Sequence, residues 1–193
     1  MKPSDLSEAT KKLLDANIDD AVECACDQYH YEFNKGLLLC ESHIEMHLLA
    51  ALMFIDGGYS NESVWIWDSL KNNKKPSVQI VISPQYRIEK YRVDFAIFAE
   101  DFSDNVLHIV VECDGHDFHE RTKKQAARDR SRDRRIQALG WKVMRFTGAE
   151  IHNDAMACAN EVSQIVSDFI ELDLYKTGRS TQLSKHLRER LVQ

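Results

Sequence analysis

The stretch VVECDGHDFHE, residues 110–120, passes within a few positions from an apolar strand to Glu112, Asp114, Gly115, His116 and His119. Side chains alternate along a strand, so Glu112 and Asp114 project from one face together with His108 and Val110. The preceding apolar run, YRVDFAIF, carries Asp94 on the face of Ala96 and Phe98, and the connecting AEDFSDN is short enough for an antiparallel hairpin. That hairpin brings Asp94 directly opposite Glu112, or diagonal to it after a slip of two. Two carboxylates in a buried hairpin repel unless a cation lies between them. Hard oxygen donors with open coordination positions suit Mg²⁺ or Mn²⁺, which can take a phosphate oxygen and a water together and activate that water for in-line attack. Asp94 and Glu112 are therefore the expected metal ligands, with the backbone carbonyl of Cys113 as a third donor.

Regular elements have to hold this constellation. SHIEMHLLAALMFIDGG places Ile44, Leu48, Ala51, Leu52 and Ile55 on one helical stripe, with Ser42 as N-cap and Glu45 at the third helical position. VWIWDSL, PSVQIVISPQYRI, YRVDFAIF and NVLHIVVECDG are rich in β-branched and aromatic residues and read as successive strands. A charged helix over about 120–139 ends at Gly140, WKVMRFTG is a further short strand, and a final amphipathic helix carries Ile151, Ala155, Cys158, Val162, Ile165, Val166 and Phe169. SDLSEATKKLLDAN and IDDAVECACDQYH read as two polar helices before the core. The sum is an α/β chain with a mixed sheet flanked by helices. Three parts are expected: an N-terminal helical appendage over 1–40, a core domain over 41–172 and a basic helical tail over 173–193.

A chain of 193 residues suffices for one proper core and is short for two. The longest apolar run, LLAALMFI, falls far below the roughly 20 residues of a membrane span. The 5 cysteines show no paired C-x-x-C spacing, which argues against a disulfide framework or zinc ribbon and suits a reducing cytoplasm. A net charge of -6 argues against a non-specific nucleic-acid coat. The distribution is nevertheless uneven: 120–135 holds eight Arg or Lys against three acids, and 175–193 holds five against one. If both segments border one cleft, that cleft attracts a polyanion while the acidic remainder faces water.

Asp94, then VVECDGHDFHE, then ARDRSRDRRIQALGWKVMRFTG, together resemble the very-short-patch-repair-like endonucleases of the PD-(D/E)XK superfamily, over about residues 41–170. The resemblance implies a restriction-endonuclease-like core and metal-dependent hydrolysis of phosphodiester bonds, in DNA. It maps a helical glutamate onto Glu45, a strand glutamine onto Gln85, an aspartate onto Asp94, and E-x-D-G with a following histidine onto Glu112, Asp114, Gly115 and His119. An Asp- and Arg-bearing helix then leads to Gly140, Trp141, Val143, Arg145 and Phe146. Two positions depart from the pattern: Val93 stands where the superfamily name has Pro, and Asp114 stands where it has the catalytic lysine. A positive or proton-shuttling group must come from elsewhere, His119 first and Lys123 or Lys124 second.

Beside the catalytic set of Asp94, Glu112, Asp114, His119 and Glu45, expected nucleic-acid contacts are Gln85, Lys123, Lys124, Arg128, Arg132 and Arg135, the last three at helical spacing. Asp129 and Asp133 read as members of a solvated, salt-bridged face. Glu45 also completes a capping box with Ser42. His43 and His47 are spaced for zinc, but the glutamate of a metalloprotease would directly follow the first histidine, and the H-x-E here lacks the P-C-x-x-C of zinc deaminases. The alternative to an enzyme is a nucleic-acid-binding or regulatory module that keeps the fold without turnover. Oligomeric state, monomer or homodimer, is left open by the sequence.

Overall fold

In the computed structural model the described residues are 27, 29–55, 64–69, 71, 80–115 and 123–177, with 123–126 described by backbone alone. Helix α1 covers residues 29–37 and α2 His43–Leu52, and the strands β1 (Trp65–Ile66), β2 (Ile80–Ile88), β3 (Tyr91–Glu100) and β4 (Val106–Asp114) follow. Helix α3 (Lys123–Ala138), β5 (Lys142–Thr147) and α4 (Gly148–Thr177) complete the chain. The sheet has the order β1-β2-β3-β4-β5. Its β2–β3–β4 meander is antiparallel, and its two outer pairs are parallel. The β4–α3–β5 crossover supplies one parallel pair, as a parallel connection requires.

Alternation along the strands makes two apolar layers. One face carries Ile82, Phe95, Ile97, Ile109 and Val111 against α2 and the Ile151, Cys158, Val162, Val166 and Ile170 stripe of α4. The other carries Val81, Phe98 and Val110 with Trp67 and Ile136 of α3, rimmed by Tyr86, Trp141 and Val143. Trp67 is buried and Trp65 partly so, consistent with packing rather than a stacking edge. Gly148 lets α4 start against α2, since a Cβ there would stand 2.8 Å from Ile44 Cδ1. Gly140 stops α3 at φ +89, the left-handed conformation that glycine adopts without cost.

Several boundaries differ from the sequence expectation. VWIWDSL forms a two-residue strand at the sheet edge. Helix α1 runs past His30 to residue 37, and Tyr29, Phe33, Leu37 and Leu39 pack on the larger core. Fully buried Glu32 accepts the Ile66 N–H at 2.6 Å, so α1 covers an edge-strand donor that would otherwise be open. At the other end α4 continues to Thr177, past residue 172, because Asp173 and Leu174 still fall on its buried stripe. Asp154 interrupts that helix at φ -159, ψ 85 and caps the remainder by accepting the Ala157 N–H at 2.9 Å. The helix expected over SDLSEATKKLLDAN, the Gly-Gly stop after α2 and most of the basic tail lie outside the described residues.

Candidate active site

A polar row crosses the sheet just beyond its apolar rows. The antiparallel ladder pairs Phe95 with Val111 and Ala96 with Val110, and one step further in that register puts Asp94 opposite Glu112, as expected. On the other side of β3, Pro84 pairs with Phe95 and Tyr86 with Val93, which leaves Gln85 opposite Asp94. Glu112 is in turn the partner of Arg145 on β5. Gln85, Asp94, Glu112 and Arg145 thus stand side by side on four neighbouring strands.

The row coincides with a turnover of the strands. Gln85 has φ 54, an uncommon value for a residue with a side chain. Before it Ile80 and Ile82 face the larger core, and after it Tyr86 and Ile88 face the smaller one, a slip of one in the alternation. The same slip occurs at Asp94, since Phe95 faces the larger core and Val93 the smaller. The sheet therefore delivers Asp94 where groups from both layers reach it: Glu45 of α2 from one side, Arg132 of α3 and Arg145 from the other.

Each carboxylate has a defined partner. Asp94 Oδ2 accepts the Cys113 N–H at 2.7 Å. Glu112, 6% exposed, is held by the Arg132 guanidinium, which also donates to the Arg92 carbonyl at 2.6 Å. Glu45 performs the expected cap and more: it takes the Ser42 hydroxyl at 2.8 Å, the Glu41 N–H at 2.9 Å and Gln85 Nε2 at 2.8 Å. Asp114 is ion-paired to Arg145 Nη1 at 3.0 Å, while Nε and Nη2 of the same guanidinium donate to Asp133 at 3.1 and 2.9 Å. Asp133 therefore joins α3 to β5 and is not on a freely solvated face.

Burial and crowding dominate the electrostatics. Burial raises the Asp94 carboxyl above the usual carboxylate range, the Cys113 N–H opposes this, and the Glu45 charge adds to it. Glu112 is pushed up to about 7, first by burial and then by the charge of Asp94, with Arg132 and Arg145 pulling back. Cys40, nearby, is pushed up to about 12 by burial and by Glu45 and Asp94. Burial works against the charge of Arg145, yet its bonds to Asp133 and the field of Asp114 keep its pKa raised. Such a site is short of positive charge around its two central carboxylates.

A divalent ion fits that shortage. Among the described residues no three His, Cys, Asp or Glu side chains are grouped to hold a metal, and an ion here would have Asp94 and Glu112 as its carboxylate donors, completed by backbone and external ligands. That set matches Mg²⁺, which keeps several waters and takes one or two carboxylates plus substrate phosphate. It does not match a closed zinc site, and exposed His43 and His47 line a separate cavity of about 140 Å³ with His152.

The other expected contacts divide. Arg132 is drawn into the site rather than held free for phosphate. Arg135 pairs with Glu89, with Nε at 3.1 Å from the carboxylate, and Arg128 is exposed. His116 and His119 lie outside the described residues, as do the side chains of Lys123 and Lys124. The central cation is Arg145, which the resemblance placed in the motif of β5 without a role at the site; its pairing opposite Glu112 supplies one.

No curated protein and no solved structure matches the chain. Residues 73–166 match the model of the family described as REase_MTES_1575, a restriction-endonuclease-like family, a span that holds the whole polar row and α3. The five-stranded mixed sheet flanked by helices, together with that match, makes the fold an α/β, restriction-endonuclease-like one.

Proposed function

We propose that this chain is a Mg²⁺- or Mn²⁺-dependent endonuclease that hydrolyses phosphodiester bonds in DNA, similar to the very-short-patch-repair-like group of the PD-(D/E)XK superfamily. The observation that supports the reading is the placement of half-buried Asp94 and buried Glu112 one step beyond the Phe95–Val111 pairing on adjacent strands, inside the span that matches a restriction-endonuclease-like family. Asp94 and Glu112 would hold the ion, with the Cys113 carbonyl as a third donor. Once bound, the ion supplies Lewis-acid polarisation of a phosphate oxygen and a lowered pKa for a water. The Cys113 N–H fixes one oxygen of Asp94. Glu45 orients Gln85 and adds negative charge beside Asp94.

Where the superfamily has its lysine, Asp114 anchors Arg145, so Arg145 and Arg132 supply the positive charge beside the carboxylates. Such charge stabilises the negative charge that develops on the phosphate oxygens in the transition state. His119 is assigned the proton transfer, with Lys123 and Lys124 as the next candidates. Gln85, Arg128, Lys123 and Lys124 are assigned to the nucleic acid, while Arg132 and Arg135 are taken up by Glu112 and Glu89.

Supercoiled, linear and single-stranded DNA and RNA incubated with and without Mg²⁺ or Mn²⁺ provide the test. Metal-dependent cleavage that disappears in Asp94→Ala and Glu112→Ala, together with their metal binding, supports the reading. His119→Ala should retain the metal and slow single-turnover cleavage by about 10² to 10⁴. Wild-type protein that binds Mg²⁺ and nucleic acid yet cleaves none would make the chain a binding module, an outcome that the Asp114–Arg145 ion pair at the lysine position would then explain.

A further inference from the structure

Next to the polar row lies a cavity of about 300 Å³, walled by the 38–41 turn, Gln85, Arg87 and Arg92. That volume lies at the lower bound of small-ligand pockets. Its walls are of three kinds. Leu38 is an apolar lip, 88% exposed, a state that a large aliphatic side chain rarely holds for packing reasons. Arg92 is fixed by a two-pronged bond to Glu41 at 2.7 and 2.6 Å, which neutralises that wall, whereas Arg87 is exposed and has no ion-pair partner among the described residues. Gln85 is 5% exposed; its Nε2 is committed to Glu45, so its amide is not free to flip, and its Oε1 is buried with no hydrogen-bond partner. A buried acceptor left without a donor is costly, and a ligand N–H that reaches it recovers that cost. The left-handed backbone at Gln85 is the kind of strain that persists at binding sites.

We infer that this cavity seats one unpaired nucleobase of the substrate strand, beside the phosphate presented to Asp94 and Glu112. The inference rests on the nuclease reading and deepens it by naming a substrate class. A flat ring fits the Leu38 lip by apolar contact, and every base carries an N–H donor on its Watson–Crick edge for Gln85 Oε1. Arg87 at the mouth suits the phosphate of that nucleotide. A base inside a duplex is stacked and paired and cannot enter, so the site selects a nucleotide that is already unpaired, at a single-stranded end or a bulge.

The probe is a DNA duplex with 2-aminopurine either paired or in a one-nucleotide bulge, titrated with the full chain in the absence of divalent metal. Among the described residues no aromatic ring lines the cavity, so entry of the base relieves stacking and its fluorescence should rise. Wild-type protein should bind the bulged duplex about tenfold more tightly than the paired one. Leu38→Asp and Arg87→Glu should each lose the preference and the fluorescence rise while keeping the wild-type thermal midpoint, and Leu38→Asp should also keep Mg²⁺-dependent cleavage of paired DNA. Equal binding of paired and bulged duplexes by wild type, or an unchanged preference in both variants, overturns the cavity assignment while leaving the nuclease reading intact. A protein that neither binds nor cleaves DNA of any form overturns both.

Discussion

In the proposed reading Arg132 and a metal ion would compete for the same carboxylate, which would separate metal affinity from catalysis. The Arg132–Glu112 pair is largely out of solvent, with side-chain exposures of 20% and 8%. A hydrogen bond between charged groups is worth about 1.5–3 kcal/mol, and the partial exposure of the arginine argues for the lower end. Removing the guanidinium by Arg132→Met should return about 1.4 kcal/mol to an incoming cation, about a tenfold tighter Kd. Titration with Mn²⁺ followed by electron paramagnetic resonance reads this directly, carried out as a pH series upward from about 8.5 because Glu112, pushed up to about 7 in the wild type, rises further when Arg132 no longer pulls it down. Single-turnover cleavage should move the other way, slowing by about 10² because a charge beside the phosphate is gone. Loss of the bond to the Arg92 carbonyl should cost about 1 kcal/mol, a fall of about 2–4 °C in Tm. A variant that binds Mn²⁺ no more tightly than wild type would refute the competition, and with it the placement of the ion at Glu112.

Three further outcomes test the scaffold. Arg145→Met removes the group that joins Asp114 to Asp133, with exposures of 7% and 23%, and should cost about 2–3 kcal/mol in urea unfolding, with Arg145→Lys intermediate because an ammonium cannot span both carboxylates; a wild-type midpoint would return this cluster to the solvated class. Glu32→Ala strips the buried acceptor from the Ile66 N–H and should lower stability by about 2–3 kcal/mol, with the loss of amide exchange protection centred on β1. Glu150 is held below the usual carboxylate range by the Thr147 hydroxyl and N–H, so its contribution is fully present above the unfolded glutamate value and is lost as pH falls through the folded one. Glu150→Gln should therefore lower Tm at neutral pH, and the gap to wild type should close on acidification below about pH 4; a gap that widens there contradicts the assignment.

What the sequence determined by itself is what short-range rules control. The Ser42–Glu45 cap, the stop at Gly140, the α4 stripe and the shared face of Asp94 and Glu112 each depend on residues a few positions apart or on one short hairpin loop, where periodicity and turn geometry leave one solution or two that agree on the face. The turnover at Gln85 and Asp94 left no such trace, because a glutamine with φ 54 is not marked by residue type and the slip is enforced by the packing of the two layers on either side. Nor could the ion pairs be read. Arg132 and Arg145 are two of many cations in a charged region, and their choice of Glu112, Asp114 and Asp133 follows only once α3 crosses the sheet and β5 docks beside β4. Likewise α1, polar by its spacing, lies on the core because Glu32 meets an edge N–H 34 residues later in the chain. Charged side chains of one sign are interchangeable in a sequence, and tertiary structure decides among them because burial makes only the partnered ones affordable.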